Sequence, residues 1–175
     1  MILDIGCGKN KIEPHAVGVD RHPEACVDIV CDLDSFPWPI LDNVATKIYL
    51  SHIVEHLNDL TAAMAEVHRI ARPGATVIVT TPHFSSHNSY VDPAHRLHLS
   101  CFSFDYFTGN DFERFSAAPY RFRIVERGLT FGKNFVLGGL GRFLARRNLL
   151  WYECHAAWTF PAQDIHCTLE AVKDE

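Results

Sequence analysis

Residues 3–8 have the sequence Leu-Asp-Ile-Gly-Cys-Gly, in which an apolar run leads into a glycine-rich turn. Two similar stretches follow, Val-Gly-Val-Asp at residues 17–20 and Val-Cys-Asp-Leu-Asp at residues 30–34. Each has the pattern of a buried strand whose carboxyl end carries an acidic or glycine-rich tip. In an open α/β sheet, ligands bind outside the carboxyl ends of the strands. The three stretches therefore predict an α/β sheet with a binding site at that edge.

The residue types at these tips suit a nucleoside. Gly6 and Gly8 allow the backbone to approach a ligand that any Cβ would push away. Asp20 can accept two hydrogen bonds from a ribose diol. Asp32 and Leu33 can offer a carboxylate and a backbone N–H to the edge of a base. Together these residues predict a site for an adenine nucleoside.

Two further motifs continue the series, SHIVEHL at residues 51–57 and ARPGATVIVTTP at residues 71–82. In this order the motifs resemble the class I S-adenosylmethionine-dependent methyltransferases, over roughly residues 1–82. The resemblance implies a Rossmann-like three-layer α/β sandwich with a mostly parallel sheet and an antiparallel terminal strand. It also implies S-adenosylmethionine as cofactor and methyl transfer to a small or medium-sized acceptor.

The resemblance assigns roles to further residues. Asp4 would lie beneath the methionine end of the cofactor and help to hold its amino group, and Cys7 belongs to the glycine-rich turn against the cofactor. Ser51 and His52 would lie beside the methionine moiety and the sulfonium, which makes His52 a candidate for contact with the methyl acceptor.

Two other functions stay open from the sequence. A nicotinamide-dependent oxidoreductase would share the sheet and the acidic ribose ligand. However, Lys9-Asn10-Lys11 follows the glycine turn, without the third glycine that opens a pyrophosphate-binding helix. A non-catalytic nucleoside-binding protein or a pseudo-enzyme partner is the other alternative.

Length and composition predict a single domain over residues 1–175, with a cofactor-binding half at 1–82 and an acceptor-side loop, lid and terminal strands at 83–175. The formal net charge of -5 argues against general nucleic-acid binding. No run approaches the roughly 18 apolar residues of a membrane span. Because the first strand begins next to Met1 and the six cysteines form no CxxC pair, we expect a cytoplasmic protein with reduced thiols and no signal peptide.

The links between the first three strands are too short for ordinary crossover helices, because a parallel crossover normally needs a dozen or more residues. We therefore expect a pared-down N-terminal half in which one or both of these helices are missing. This should leave apolar sheet surface uncovered and favour a homo-oligomer. A helix capped by Asn58 and stopped by Pro73-Gly74 should follow the fourth strand, and residues 75–81 should form a fully buried strand.

The C-terminal half has two predicted strands, 120–131 and 165–172, and short helical turns within 103–116. The segment with Arg142, Arg146 and Arg147 could be a lid, a dimer contact, a surface for an anionic or lipid-linked substrate, or a solvated helix face.

Residues 83–98 are unusually rich in histidine, with His83, His87, His95, His98 and the acid Asp92. The loop could supply a general base, for which His83 is the first choice and His52 the second, since imidazole titrates near neutral pH. It could instead hold a metal, or simply bond to backbone and solvent. No spacing matches a familiar metal signature, so no metal ligand is assigned. Residues 92–95, Asp-Pro-Ala-His, resemble an Asp-Pro-x-His turn of small methyltransferases. This resemblance favours a structural or substrate-facing role for His95.

Overall fold

The computed structural model describes residues 1–109, 120–132 and 135–173. Seven strands form one sheet, in the order β3-β2-β1-β4-β5-β7-β6. They are β1 (Ile2–Ile5), β2 (Val17–Asp20), β3 (Ile29–Val30), β4 (Ala45–Ser51), β5 (Ala71–Pro82), β6 (Arg121–Phe131) and β7 (Ala162–Val172). Neighbouring strands are parallel, except that β7 runs antiparallel to β5 and β6. This confirms the Rossmann-like fold with an antiparallel terminal strand.

The described helices are α1 (Leu60–Ile70), α2 (Asn88–Val91), α3 (Phe135–Arg147) and α4 (Leu149–His155). Short 3-10 helices occur at Val54–His56 and Ser103–Phe107. The latter confirms part of the helical turns predicted within 103–116; residues 110–116 lie outside the described part of the chain.

Residues 1–59, all of which the structure describes, contain no α-helix. Turns alone connect β1 to β2 and β2 to β3, which confirms the pared-down N-terminal half. The cap of α1 is Asp59 rather than Asn58, because the Asp59 side chain accepts a hydrogen bond from the Ala62 N–H at 2.9 Å. The helix also ends earlier than predicted, since β5 already begins at Ala71.

One face of the sheet forms the core. Leu3, Ile48, Val77 and Leu169 are neighbours in register across four strands, and all four are fully buried. They belong to the same apolar cluster as Met64 and Val67 of α1. Residues that alternate along the strands thus share one buried face, as the period of two requires.

The opposite face corrects the expectation of an uncovered apolar surface. Lys47, Thr76, Glu170 and Arg123 form the corresponding row, and Arg123 pairs with Glu170 at 2.6 Å. None of these four residues is buried, and β5 alternates between buried and half-buried residues instead of being buried throughout. This row of the opposite face is therefore polar, and it needs no apolar partner.

Large exposed apolar side chains lie instead on the C-terminal helices. Helix α3 turns Gly141 toward β6, where a Cβ would come within 2.7 Å of the Phe131 ring. Its larger apolar residues point outward, so that Leu140 is 42 % and Phe143 is 55 % exposed. Within the described residues, no helix has both the length and the apolarity to cross a membrane.

Candidate functional site

A cavity of about 300 Å³ opens at the carboxyl ends of β1, β2 and β4. The lining includes five residues predicted for the site: Gly6, Asp20, Asp32, Leu33 and His52. The parallel strands bring these tips to one edge of the sheet, as the sequence pattern predicts. The size is within the range of small-molecule sites.

Gly6 makes the turn after β1 possible. Its φ is +75°, and a Cβ at this position would lie 2.4 Å from Cγ1 of Ile53, which itself lines the cavity. The Gly6 N–H donates to the Val19 carbonyl at 2.7 Å and so holds the turn against β2. Any side chain at Gly6 would therefore displace the cavity wall as well as strain the backbone.

Asp20 is fixed at the end of β2 by two backbone donors. Its Oδ2 accepts from the Gly8 N–H at 2.9 Å, and its Oδ1 accepts from the His22 N–H at 2.9 Å. The residue is only 8 % exposed, yet it lines the cavity. Because a carboxylate has about four lone-pair positions, each oxygen can accept one further hydrogen bond from a ligand.

The two acids after β3 differ in their partners. Both carboxylate oxygens of Asp34 accept from Asn58, one from its backbone N–H and one from its side chain. Asp32 is exposed, and its Oδ1 accepts from the Asp34 N–H at 3.2 Å. Leu33 is buried, and its carbonyl accepts from the Trp38 indole N–H. Asp32 is therefore the acid with the greater capacity for a ligand.

Four predicted cofactor residues are absent from the lining of this cavity: Asp4, Cys7, Gly8 and Ser51. Asp4 is buried, and its Oδ2 accepts from the Ile12 N–H at 2.7 Å. Burial raises the pKa of Asp4, against the lowering effects of Ile12 and Lys11. Asp4 thus holds residues 6–12 beneath the cavity, which is an indirect contribution to the site.

Cys7 and Gly8 belong to the same turn, although neither lines the cavity. Burial and the neighbouring Cys26 and Asp4 raise the pKa of Cys7 to about 12, so its side chain is a neutral thiol. Gly8 has a φ of +55° and provides the N–H that holds Asp20. Ser51 pairs with Thr80 at the end of β4 and positions the residue that follows it.

His52 projects from the end of β4 into the cavity wall. Its φ is +50°, an uncommon value for a residue other than glycine. Its Nδ1 lies 3.4 Å from Oε1 of Glu55, and the Glu55 carboxylate raises the pKa of His52 while burial opposes this. The side chain is half exposed, so the imidazole can meet a ligand.

His83, the favoured base from the sequence, lies elsewhere. It is fully buried and does not line the cavity. Its Nδ1 lies 2.8 Å from Oγ of Ser85 and its Nε2 lies 3.1 Å from Oε1 of Glu153. Both ring nitrogens therefore have partners in the interior. The sequence reasoning missed Glu153, which is 70 positions away from His83 in the chain.

The sequence reasoning also missed the role of the turn after His52. Ile53, His56 and Leu57 line the cavity, although roles in this motif were assigned from the sequence only to Ser51 and His52. Glu55, His56 and His95 each bring one potential ligand atom within 4.8 Å of the others. The sequence signal for this group was the HxxEH spacing of residues 52–56, which lies just before α1.

Residues 3–79 match the family model described as "Methyltransferase domain". No curated protein matches the chain. A SAM-dependent methyltransferase from Archaeoglobus fulgidus is 17% identical with a TM-score of 0.57, over 97% of this chain and 85% of that one. The YcgJ protein from Bacillus subtilis is 14% identical with a TM-score of 0.60, over 99% and 92%. The [4+2]-cyclase SpnF is 17% identical with a TM-score of 0.58, over 99% and 74%.

At these identities the solved structures are similar to this chain in fold, and the cyclase among them indicates that the fold supports more than one reaction. The family match covers the strands β1, β2, β3 and β4 and most of β5, which carry the lining of the cavity. Residues 3–79 therefore match a methyltransferase domain, and the chain as a whole has the fold of the S-adenosylmethionine-dependent methyltransferases.

Proposed function

We propose that this protein transfers a methyl group from S-adenosylmethionine to a small or medium-sized acceptor by in-line displacement. The observation that carries the proposal is the convergence of Gly6, Asp20, Asp32 and His52 on one cavity at the carboxyl edge of the sheet. When bound, the cofactor supplies a methyl group activated by the positive sulfonium. The protein contributes mainly binding and alignment of the two reactants.

The residues present fit this cofactor. Asp20 has the remaining lone pairs for two ribose hydroxyls, and Asp32 with the backbone of Leu33 suits the adenine edge. Gly6 provides close backbone approach, and Asp4 supports the turn from below through Ile12. The absence of an α-helix from residues 1–59 disfavours a dinucleotide, because a pyrophosphate would bind at a helix N-terminus.

We assign the proton-accepting role to His52 rather than to His83. A hydroxyl acceptor must lose a proton during methylation, and a base has to reach that proton directly or through one water. His52 lines the cavity, whereas His83 is buried with both ring nitrogens engaged. An amine or thiol acceptor would need this base less.

Cofactor binding is the first test of the proposal. Isothermal titration should detect S-adenosylmethionine and S-adenosylhomocysteine but not NAD. Asp20→Ala should weaken both interactions about 10–100-fold, since one or two charged hydrogen bonds are lost. Asp42→Ala is the matched control, because Asp42 is an exposed acid paired with Arg69 outside the cavity. An unchanged dissociation constant in folded Asp20→Ala would remove Asp20 from the site.

Turnover on a panel of hydroxyl, amine and thiol acceptors is the second test. Product from any one class establishes methyl transfer and gives the acceptor chemistry. Tight cofactor binding with no turnover across the panel would favour the alternative of a non-catalytic nucleoside-binding protein.

We also propose that the chain self-associates through the outer surface of α3 and α4. Leu140, Phe143 and Trp158 are between 42 % and 69 % exposed on these helices and the residues that follow them. A cluster of this kind on a protein surface is typical of a binding interface.

A further inference from the structure

The cluster formed by Glu55, His56 and His95 is unexplained by cofactor binding. Glu55 and His56 lie in the 3-10 helix after β4, and His95 lies in the histidine-rich loop after β5. One possible ligand atom from each residue lies within 4.8 Å of the others. Because metal–ligand distances are about 2.0–2.2 Å for nitrogen and oxygen donors, small side-chain shifts would close all three atoms on one ion.

Glu55 is the strongest evidence for a ligand. Its side chain is 2 % exposed, and its Oε2 accepts from the Thr81 hydroxyl at 3.0 Å. Its Oε1 has no hydrogen-bond partner among the described residues, with the His52 Nδ1 3.4 Å away. A buried carboxylate oxygen without a hydrogen bond is costly, and a bound cation would remove that cost.

The backbone fixes His95 against Glu55. The N–H groups of Arg96 and Leu97 both donate to the Glu55 carbonyl, at 2.8 and 3.1 Å. The position of His95 relative to the carboxylate is therefore set by main-chain hydrogen bonds rather than by a free loop. This explains how residues 40 positions apart in sequence can form one preorganised group.

The His95 imidazole is also oriented for binding. The Nδ1 of His95 lies 3.3 Å from the Ser89 carbonyl, to which it donates, so that Nε2 keeps its lone pair. Such a backbone contact to the second ring nitrogen is typical of metal-ligating histidines. The rings of His56 and His95 meet edge to face with their centroids 4.6 Å apart.

We propose that Glu55, His56 and His95 bind a divalent transition-metal ion. Two imidazoles and one carboxylate suit zinc, manganese, iron or cobalt better than magnesium or calcium, which prefer oxygen ligands alone. His56 lines the same cavity as Asp20, so the ion lies at the wall of the binding site. Its open coordination positions can accept an oxygen atom of the methyl acceptor, which favours a hydroxyl compound as the acceptor. This assignment of the acceptor rests on the proposed function, whereas metal binding itself does not.

Metal binding is measured directly on the full chain after removal of metal with a chelator. We expect titration with MnCl2, monitored by calorimetry and by the EPR signal of free Mn²⁺, to give one binding site per chain. ZnCl2 should compete with Mn²⁺ for this site. Glu55→Gln and His95→Ala should each weaken Mn²⁺ binding about 100-fold or more, since a ligand is lost. His87→Ala is the matched control, because His87 is an exposed histidine of the same loop outside the cluster.

Binding of S-adenosylhomocysteine by the same variants separates the two proposals. We expect its affinity to be unchanged, which also shows that the variants are folded. Absence of Mn²⁺ and Zn²⁺ binding in the wild type, or equal metal affinity in His95→Ala and His87→Ala, would overturn the metal site and leave cofactor binding intact. Stoichiometric metal without S-adenosylhomocysteine binding would instead overturn the proposed function and leave the metal site.

Discussion

His52 combines an unusual backbone with a position in the cavity wall. Its φ of +50° is in the left-handed region, which costs a residue with a Cβ about 1–2 kcal/mol. Strain of this kind persists where the surrounding structure enforces it, and it is concentrated at functional sites. The His52 N–H donates to the Thr80 carbonyl at 2.8 Å, and the 3-10 helix at Val54–His56 begins two residues later, so the backbone is held on both sides. The strain therefore accompanies the placement of the imidazole.

Two substitutions at His52 separate strain from chemistry. His52→Ala removes the imidazole and keeps the strain, whereas His52→Gly removes both. We expect the Gly variant to be about 1 kcal/mol more stable than the Ala variant in urea denaturation, although glycine usually destabilises. Both should lose turnover on a hydroxyl acceptor by about 100-fold or more if His52 takes the proton. Equal stabilities would show that the left-handed backbone costs nothing here.

Glu153 anchors a buried polar network whose residues do not line the cavity. Its carboxylate accepts from the Ser100 hydroxyl at 2.5 Å and from the Cys101 N–H at 2.7 Å, and it contacts His83. Burial alone would raise the pKa of Glu153, but the His83, Ser100 and Cys101 donors together hold it below its ordinary value. This network joins α4 to the loop after β5.

The depressed pKa of Glu153 gives stability a defined dependence on pH. The ionised carboxylate stabilises the folded state above the ordinary value of 4.5, and this contribution is lost as the pH falls through the lower pKa of the folded state. Glu153→Gln should therefore lower the free energy of unfolding at pH 7, by about 1–3 kcal/mol. The difference from the wild type should shrink when denaturation is repeated below pH 4.5. A difference that stays constant with pH would assign the effect to packing instead of charge.

At the scale of elements, the start of α1 links the helix to the binding site. Asp59 caps the helix, and the preceding Asn58 holds Asp34 in the cavity wall. Two adjacent residues thus serve different structures. The buried face of α1, with Met64 and Val67, then packs against the core face of the sheet. The turn that leads from the cavity wall into α1 is therefore held by Asn58 on the cavity side and by Asp59 on the helix side.

Adjacent alanine substitutions should separate these two tasks. Asp59→Ala removes the helix cap and should cost about 1 kcal/mol of stability, with the affinity for S-adenosylhomocysteine unchanged. Asn58→Ala leaves the cap and releases Asp34, so we expect weaker cofactor binding and a smaller loss of stability. Thermal denaturation and calorimetric titration of both variants measure the two effects. Weaker cofactor binding in Asp59→Ala alone would reverse the assignment.

At the scale of the whole molecule, the polar face of the sheet and the exposed apolar side chains of α3 and α4 are different surfaces. The sheet face opposite the core carries Lys47, Thr76 and Glu170, and polar residues of this kind are stable in water without a cover. Helices α3 and α4 carry several of the exposed apolar side chains, because Gly141 faces β6 whereas Leu140 and Phe143 face outward. Any self-association should therefore use the C-terminal helices, although the short crossovers suggested the sheet.

Light scattering of charge variants tests this surface. The wild type should give more than the monomer mass at micromolar concentration, and Phe143→Glu should shift it to the monomer, because a carboxylate would be buried without a partner. Arg123→Ala, on the polar sheet face, should leave the mass unchanged. A monomeric wild type would contradict self-association, and dissociation by Arg123→Ala alone would move the interface to the sheet.

The amino-acid sequence was sufficient for the sheet and for the residues that line the cavity at the ends of its strands. Gly6, Asp20 and Asp32 follow apolar strand segments directly, and parallel strands place their carboxyl ends at one edge, so short-range patterns suffice for this part. The short crossovers were equally predictable, because chain length limits what can connect two parallel strands.

Contacts between residues that are far apart in the sequence could be identified only from the tertiary structure. His83 and Glu153 meet in the interior, and Glu55 with His56 meets His95 through the hydrogen bonds of a loop that has no regular pattern. A histidine has the same local signature whether it is buried against a carboxylate or faces a cavity. Which of these it does depends on packing between elements that are far apart along the chain, and only the folded molecule determines that packing.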